Sequence, residues 1–286
     1  MPTWHYFIGD IHGCYEEYIT LEAKMKRHAK RNDVTPHFVS VGDLVDRGPD
    51  SAKVVQHFRR GQEAGTHSAV LGNHEAFFIS QLWEFAPWEE DVGPYPHTLH
   101  SLEERHALKL GNAESLDWEE YRLFSMLMWL TQGGHETLTS FDCNPHQPGT
   151  WSLEPEDITY LIQMPIMWEN EEFVVTHALA TNEELEAIRT FSPQGEDEEE
   201  SEWQKRLLDH KERCYHLLWR RSYPKQPPHE TSMHISGHTP VKRVKRKKKL
   251  NILQIDTGCV YGKRLTAWCG ETQTFFRTPS QQPRRR

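Results

Sequence analysis

The sequence lacks the features that mark several classes of protein. Its 286 residues contain no apolar run of about 18 residues, so we predict no membrane span. The N-terminus shows no signal-peptide pattern, and no internal repeat is visible. The five cysteines are scattered and form no CxxC pair, which favours a reducing cytoplasm over a disulfide scaffold. No serine or cysteine nucleophile motif is present either.

Positive charge is also in the minority. The chain has 33 Lys and Arg against 42 Asp and Glu, a net charge of -9, which argues against general nucleic-acid binding. Its length suits one large mixed α/β domain with a sizeable core. We predict a single domain over residues 1–278 and a disordered tail at 279–286.

What the sequence does contain is a recurring pairing of a strand with a polar turn. The central case is the apolar run at 37–41, which predicts a buried strand ending at Gly42-Asp43-Leu44-Val45-Asp46-Arg47-Gly48. In open α/β sheets, ligands bind at the carboxyl ends of strands. A carboxylate there can hold a metal ion, and an arginine can hold a phosphate with its planar fork of donors.

Four other segments repeat this arrangement after predicted strands at 4–8, 68–71, 172–176 and 234–236. Their turns read Gly9-Asp10-Ile11-His12-Gly13, Gly72-Asn73-His74-Glu75, His177-Ala178 and Gly237-His238-Thr239-Pro240. Together the five turns supply oxygen and imidazole donors without thiolate: Asp10, His12, Asp43, Asn73, His177 and His238. Such donors suit Mn, Fe or Zn. Six are too many for one catalytic ion with open positions, but fit two ions that share a carboxylate.

In this order the turns resemble the motifs of metallophosphoesterases of the phosphoprotein phosphatase type. That group includes Ser/Thr protein phosphatases and symmetrical bis(5′-nucleosyl)-tetraphosphatases. The match extends from Gly9 to Pro240, and the Asp46-Arg47 pair separates this group from the wider metallophosphoesterases. The resemblance implies a calcineurin-like α/β fold, which is a two-sheet β-sandwich flanked by helices. Helical insertions are expected at about 84–130 and 183–230.

The resemblance also implies a site with two divalent metal ions, for which we favour Mn over Fe or Zn. Asp43 would bridge the two ions because it lies on the central loop. The other expected ligands are Asp10 and His12 for the first ion, and Asn73, His177 and His238 for the second. A water held between the ions would attack phosphorus in line as hydroxide.

Four further side chains receive catalytic roles. His74 follows Asn73 directly, and we expect it to protonate the leaving oxygen as general acid. Asp46 would keep His74 protonated and oriented. Arg47 would clamp the phosphate oxygens. The W-x-R element of the family matches Trp219-Arg220-Arg221 and gives Arg221 the same task, although either arginine could instead form a surface salt bridge.

Several stretches outside these motifs have alternative interpretations. The basic run Lys242–Lys249 could be a nucleic-acid patch or a docking site for an acidic partner, but its flanks favour a solvated β-turn. The acidic run at 196–200 predicts an exposed, mobile loop. Aromatic residues within 83–130 could stack a nucleobase, although a packed insertion core is favoured. After residue 250, alternating residues predict a β-meander that closes the domain, and Asp256 is expected to support the metal site.

The motifs favour a Ser/Thr phosphoprotein phosphatase with a phosphorylated protein as substrate. The alternative is a symmetrical bis(5′-nucleosyl)-tetraphosphatase or another nucleotide phosphohydrolase. The catalytic motifs do not separate the two, and the insertions would decide which substrate fits. A catalytically inactive binding scaffold is a distant third, because such a relative should have lost ligands or His74. We expect the enzyme to be cytoplasmic, without a membrane partner.

Overall fold

The computed structural model describes residues 1–85, 102–107, 109 and 116–284. The strands are β1 Thr3–Ile8, β2 Thr35–Ser40, β3 His67–Ala69, β4 Met167–Glu169, β5 Phe173–Thr176, β6 Met233–Ser236, β7 Lys245–Lys247, β8 Ile252–Gln254, β9 Arg264–Cys269 and β10 Phe275–Pro279. The helices are α1 Tyr15–Arg31, α2 Ser51–Glu63, α3 Asn73–Phe85, α4 Leu102–Ala107, α5 Trp118–Trp129, α6 His135–Ser140, α7 Pro155–Ile162, α8 Asn182–Thr190 and α9 Glu200–Trp219.

The strands form two five-stranded sheets with the orders β10-β9-β1-β2-β3 and β4-β5-β6-β8-β7. β1, β2 and β3 are parallel to one another, as are β5, β6 and β8. Each parallel set therefore directs its carboxyl ends, and the polar turns that follow them, to one edge of its sheet. This confirms the predicted calcineurin-like α/β sandwich flanked by helices.

Aromatic side chains fill the space between the two sheets. Phe7 of β1 and Phe173 of β5 are buried, and their ring centroids lie 4.9 Å apart. Trp268 of β9 packs against both rings. The outer face of the first sheet is covered by α1, which buries Tyr18, Leu21 and other residues at helical spacing.

The end of the chain departs from the predicted β-meander. β8 pairs with β6 and β7 in the second sheet, whereas β9 and β10 join β1 in the first. The prediction was wrong because alternating apolar residues indicate a half-buried strand without saying which sheet it joins. Strands from both ends of the chain thus share the first sheet, which supports the single domain that we propose.

The basic run also differs from its predicted form. Residues Lys245–Lys247 form β7, antiparallel to β8 at the edge of the second sheet, rather than a solvated turn. All three side chains of this strand are exposed. Edge strands commonly carry lysines, which prevent pairing with other chains. A strand made only of charged residues has no apolar periodicity, so the sequence pattern did not reveal it.

Two segments predicted to be mobile have defined partners. β10 continues through Pro279, and the backbone N–H of Gln281 donates to the Glu17 carboxylate at 2.8 Å, so the described part of the predicted tail, residues 279–284, contacts α1 instead. In the acidic run, the Glu198 carboxylate accepts two hydrogen bonds from Arg206 at 2.7 and 2.8 Å. Residues 285–286 lie outside the described part of the chain.

The described parts of both predicted insertions contain helices. α4 and α5 belong to the first, at about 84–130, and α8 and α9 to the second, at about 183–230. Residues 86–101, 108 and 110–115, which include Trp88, lie outside the described residues. Among the helices described, none has the length and apolar composition that crossing a bilayer would require.

Candidate active site

The turns that follow β1, β2, β3, β5 and β6 converge, and they carry all six predicted metal ligands. The six side chains are buried, with His238 the most exposed at 7%. Three turns come from the first sheet and two from the second, so the site lies where the two sheets meet.

Asp43 occupies the centre of the cluster. Its Oδ2 lies 3.4 Å from Nε2 of His12, and its Oδ1 lies 3.4 Å from Nε2 of His177. It belongs to two sets of three side chains whose ligand atoms lie within 4.8 Å of one another, one with His12 and His74 and one with Asp10 and His177. The carboxylate thus faces two groups of donors at once.

Asn73 gathers the second group of donors. Its Oδ1 lies 2.8 Å from Nε2 of His177 and 3.0 Å from Nδ1 of His238. The Nδ1–H of His177 donates to the backbone carbonyl of Val41 at 2.8 Å, so its Nε2 is turned into the cluster. Such hydrogen bonds on the far ring nitrogen orient metal-binding histidines.

His12 is oriented in the same way, because its Nδ1–H donates to the carbonyl of Val45 at 2.8 Å. Asp10 was predicted to bind the first ion together with His12. Its carboxylate accepts the backbone N–H of His238 at 3.1 Å, and its ligand oxygen groups with Asp43 and His177. This grouping places Asp10 beside the second set of donors.

The cluster concentrates negative charge in a buried space. Burial raises the pKa of Asp10 well above its ordinary value, and Asp256 and Asp43 raise it further. Burial, with a contribution from Asp43, raises the pKa of Asp256 to about 6 and that of Glu75 to about 7. Burial lowers the pKa of His177, but the nearby Asp43 and Asp10 outweigh it and raise that pKa to about 10. Oxygen and imidazole donors that crowd together this way fit divalent cations.

Glu75 is a functional residue that the sequence did not assign. Its carboxylate accepts hydrogen bonds from the backbone N–H groups of Gly72, Asp43, Leu44 and Val45 at 2.7 to 3.0 Å. These bonds fix the loop in which Asp43 adopts a left-handed φ of 52°. Its position in the Gly-Asn-His-Glu motif could have pointed to Glu75, but the sequence analysis assigned no metal-ligand role to this residue.

His74 and Asp46 form the predicted pair. Nδ1–H of His74 donates to Oδ2 of Asp46 at 2.6 Å. The same carboxylate accepts the indole N–H of Trp129 at 3.0 Å and the hydroxyl of Thr137 at 2.7 Å. These two partners were missed, because Trp129 matches the apolar stripe of α5 and Thr137 is a common helical residue.

Arg47 lies beside the metal ligands. Its guanidinium donates to Nε2 of His12 at 2.7 Å and stands 5.6 Å from the ring centroid of Tyr261. Its backbone N–H donates to the carbonyl of Gly133 at 3.2 Å. Gly133 has a φ of 119°, and a Cβ at that position would lie 2.2 Å from the Arg47 nitrogen. Gly133 thus permits the close approach that positions Arg47.

The two arginines at the end of α9 have different environments. Arg221 directs its Nε toward Nε2 of His238 at 3.4 Å, at the site. Arg220 instead pairs with the buried carboxylate of Glu184. The geometry therefore places Arg221 beside the metal ligands and gives the salt-bridge role to Arg220.

The sequence model of the calcineurin-like phosphoesterases matches residues 5–249. The chain belongs to this family. A symmetrical bis(5′-nucleosyl)-tetraphosphatase of Shewanella baltica is 43% identical over 77 residues, which are 27% of this chain and 26% of that protein. The enzyme of the same name from Buchnera aphidicola is 44% identical over 75 residues, 26% of this chain and 25% of its own length. The matched stretch thus spans about a quarter of these relatives.

A solved structure, assigned provisionally as a diadenosine tetraphosphatase, aligns over 99% of this chain and 98% of its own, with 20% identity and a TM-score of 0.48.

Replacing Gly133 with alanine should lower kcat/KM for p-nitrophenyl phosphate by about 100-fold, because the new Cβ displaces Arg47 from the site. Gly149→Ala is the matched control, since Gly149 also has a positive φ, 88°, but open space around its Cβ position. Both variants should lose stability through backbone strain, and only the first should lose activity. Wild-type kcat/KM in Gly133→Ala would show that this contact does not position Arg47.

Replacing Arg221 with alanine should raise the inhibition constant of inorganic phosphate by about 10- to 100-fold, as expected for a lost hydrogen bond between charged groups. Arg220→Ala should lower the unfolding midpoint, because it leaves Glu184 buried without its guanidinium, and should leave the phosphate inhibition constant unchanged. An unaltered inhibition constant in Arg221→Ala would remove this residue from the phosphate site.

Proposed function

We propose that this protein is a metal-dependent phosphoester hydrolase with two divalent ions. The observation that carries the proposal is the position of Asp43 between two groups of donors. We assign His12 and Asp43 to one ion and Asn73, His177 and His238, with the shared Asp43, to the other, and Asp10 completes the set. When bound, the ions would supply an activated water and Lewis acidity toward the phosphate. We favour Mn because the donors are oxygen and neutral nitrogen.

The remaining residues are arranged to serve the phosphate and the leaving group. Because Nδ1 of His74 is held by Asp46, its Nε2 is the nitrogen that can deliver a proton to the leaving oxygen. Arg221 and Arg47 bring two guanidinium groups to the same cluster. In the structure Arg47 donates to the His12 nitrogen that we assign to an ion. A bound cation would repel this guanidinium, leaving its donors for phosphate oxygens.

Two substrate classes suit this chemistry, phosphoserine or phosphothreonine proteins and dinucleoside polyphosphates. The names of the relatives favour the second class, although the resemblance covers only about a quarter of their length. We therefore propose a dinucleoside polyphosphate as the substrate and keep the phosphoprotein as the second candidate. We also propose that the protein works in the cytoplasm, because its five cysteines are all unpaired.

Replacing His74 with asparagine should lower kcat on a phosphoserine peptide, whose serine alkoxide needs a proton to leave, by about 10²- to 10⁴-fold. The loss on p-nitrophenyl phosphate should be much smaller, because nitrophenolate leaves without needing a proton. Metal content by mass spectrometry should stay at two ions per chain. Equal losses on both kinds of substrate would contradict the general-acid role of His74 and would point to a role in metal or phosphate binding.

The substrate class is tested by measuring kcat/KM of the Mn-loaded protein with diadenosine tetraphosphate and a phosphoserine peptide side by side. We expect at least a tenfold preference for the dinucleotide. A preference for the peptide would overturn the proposed substrate while preserving the hydrolase. Activity toward neither, despite bound metal, would contradict the hydrolase itself and support the scaffold.

A further inference from the structure

A cavity lies where β7, the edge strand of the second sheet, faces β9 and β10 of the first sheet. Its volume is about 570 Å³, and its walls carry five cationic side chains and one aromatic ring: Lys242, Arg243, Arg246, Arg264, Arg277 and Phe275. The proposed catalytic residues are absent from its lining. The proposed hydrolase function neither uses nor explains this cavity.

The cationic residues come from separate parts of the fold. Arg246 belongs to β7, and Lys242 and Arg243 precede that strand, whereas Arg264 begins β9 and Arg277 lies in β10 of the other sheet. Lysines that protect an exposed edge strand would account for β7 alone. They do not account for two arginines that the opposite sheet directs into the same space.

These charges are not neutralised within the described part of the chain. None of the five cations there lies within 4 Å of a carboxylate, although the protein as a whole has a net charge of -9. Arg246 donates to the neutral side-chain amide of Gln273 at 3.0 Å. Arg277 stands 5.3 Å from the ring centroid of Phe275. Like charges around one cavity repel one another, and a multivalent anion would remove that repulsion.

The size and chemistry of the cavity narrow the choice of anion. A volume of about 570 Å³ lies within the usual range for small-molecule sites. Guanidinium groups match phosphate oxygens with paired donors, and four of the five cations are arginines. The half-buried ring of Phe275 adds an aromatic wall suited to a planar base. A carboxylate-rich peptide would not need the ring.

We propose that this cavity is a binding site for a nucleoside polyphosphate, separate from the metal centre. Its wall is continuous with the catalytic loops, since Thr257 lines the cavity and follows Asp256 in the chain. The backbone N–H of Val241 also donates to the carbonyl of Asp256 at 3.0 Å. A ligand in the cavity would therefore contact the segment that follows His238. The proposal does not depend on which substrate the metal centre hydrolyses.

The test is calorimetric titration of the Mn-loaded full chain with adenylyl imidodiphosphate, an ATP analogue whose terminal bond resists hydrolysis. Arg246→Gln combined with Arg264→Gln removes one cation from each sheet and should weaken binding at least tenfold. The matched control, Lys248→Gln with Lys249→Gln, removes the same charge from the same basic run outside the cavity and should stay within twofold of wild type. Turnover of p-nitrophenyl phosphate should be equal in all three proteins.

A further variant separates the nucleoside from the phosphates. Phe275→Leu should weaken binding of adenylyl imidodiphosphate but leave binding of inorganic tripolyphosphate unchanged. Equal affinity in the cavity variant and its lysine control would overturn the site. Binding that requires Mn but not Arg246 and Arg264 would place the nucleotide at the catalytic centre and also overturn it. A polyglutamate peptide that binds more tightly than the nucleotide would replace the proposed ligand by an acidic protein segment.

Discussion

Mutual repulsion among buried carboxylates is the constraint around which the structure is arranged. Asp10, Asp43, Asp256 and Glu75 are each at most 3% exposed, and their charges act on one another. Such a group is stable only where cations, donors and backbone N–H groups surround it. Glu75 shows this most directly, because its carboxylate is surrounded by backbone N–H groups of the loop that presents Asp43. The same bonds that solvate Glu75 hold the central ligand in place.

The site also joins the two sheets. His177 follows β5 in the second sheet, yet its Nδ1–H donates to the carbonyl of Val41 beyond β2 in the first. Asp10 follows β1 and accepts the N–H of His238, which follows β6. Each of these two hydrogen bonds therefore connects the two sheets, in addition to the aromatic packing of Phe7. Cation binding and the stability of the sandwich should for this reason be linked.

The parts of the site that could be predicted are those in which one residue type serves one purpose at a fixed place in a motif. Asp43 and His238 are of this kind, because a ligand must follow a strand and must carry a donor atom. Trp129 is different. Its ring packs in the core against Phe78, as its apolar spacing indicates, but its N–H serves Asp46, which no periodicity reports.

The sequence could not predict which sheet each strand joins, for a related reason. β8 and β9 have similar apolar patterns, yet they lie in different sheets. The choice depends on contacts distant in sequence, such as Ile8 of β1 opposite Ala267 of β9 and Ile235 of β6 opposite Leu253 of β8. A local pattern specifies which face of a strand is buried, and only the assembled core specifies which partner covers it.

The repulsion among the buried carboxylates also favours positive charge on the side chains around them. Burial lowers the pKa of His177, but the Asp43 and Asp10 carboxylates outweigh it and raise that pKa to about 10, so they favour a proton on this imidazole. A histidine binds metal only as the neutral ring, so binding of a cation by His177 would require the loss of that proton. The side chains thus supply, through this proton and the Arg47 guanidinium, part of the positive charge that the carboxylates require. Cation affinity should therefore rise with pH, as the His177 proton becomes easier to displace.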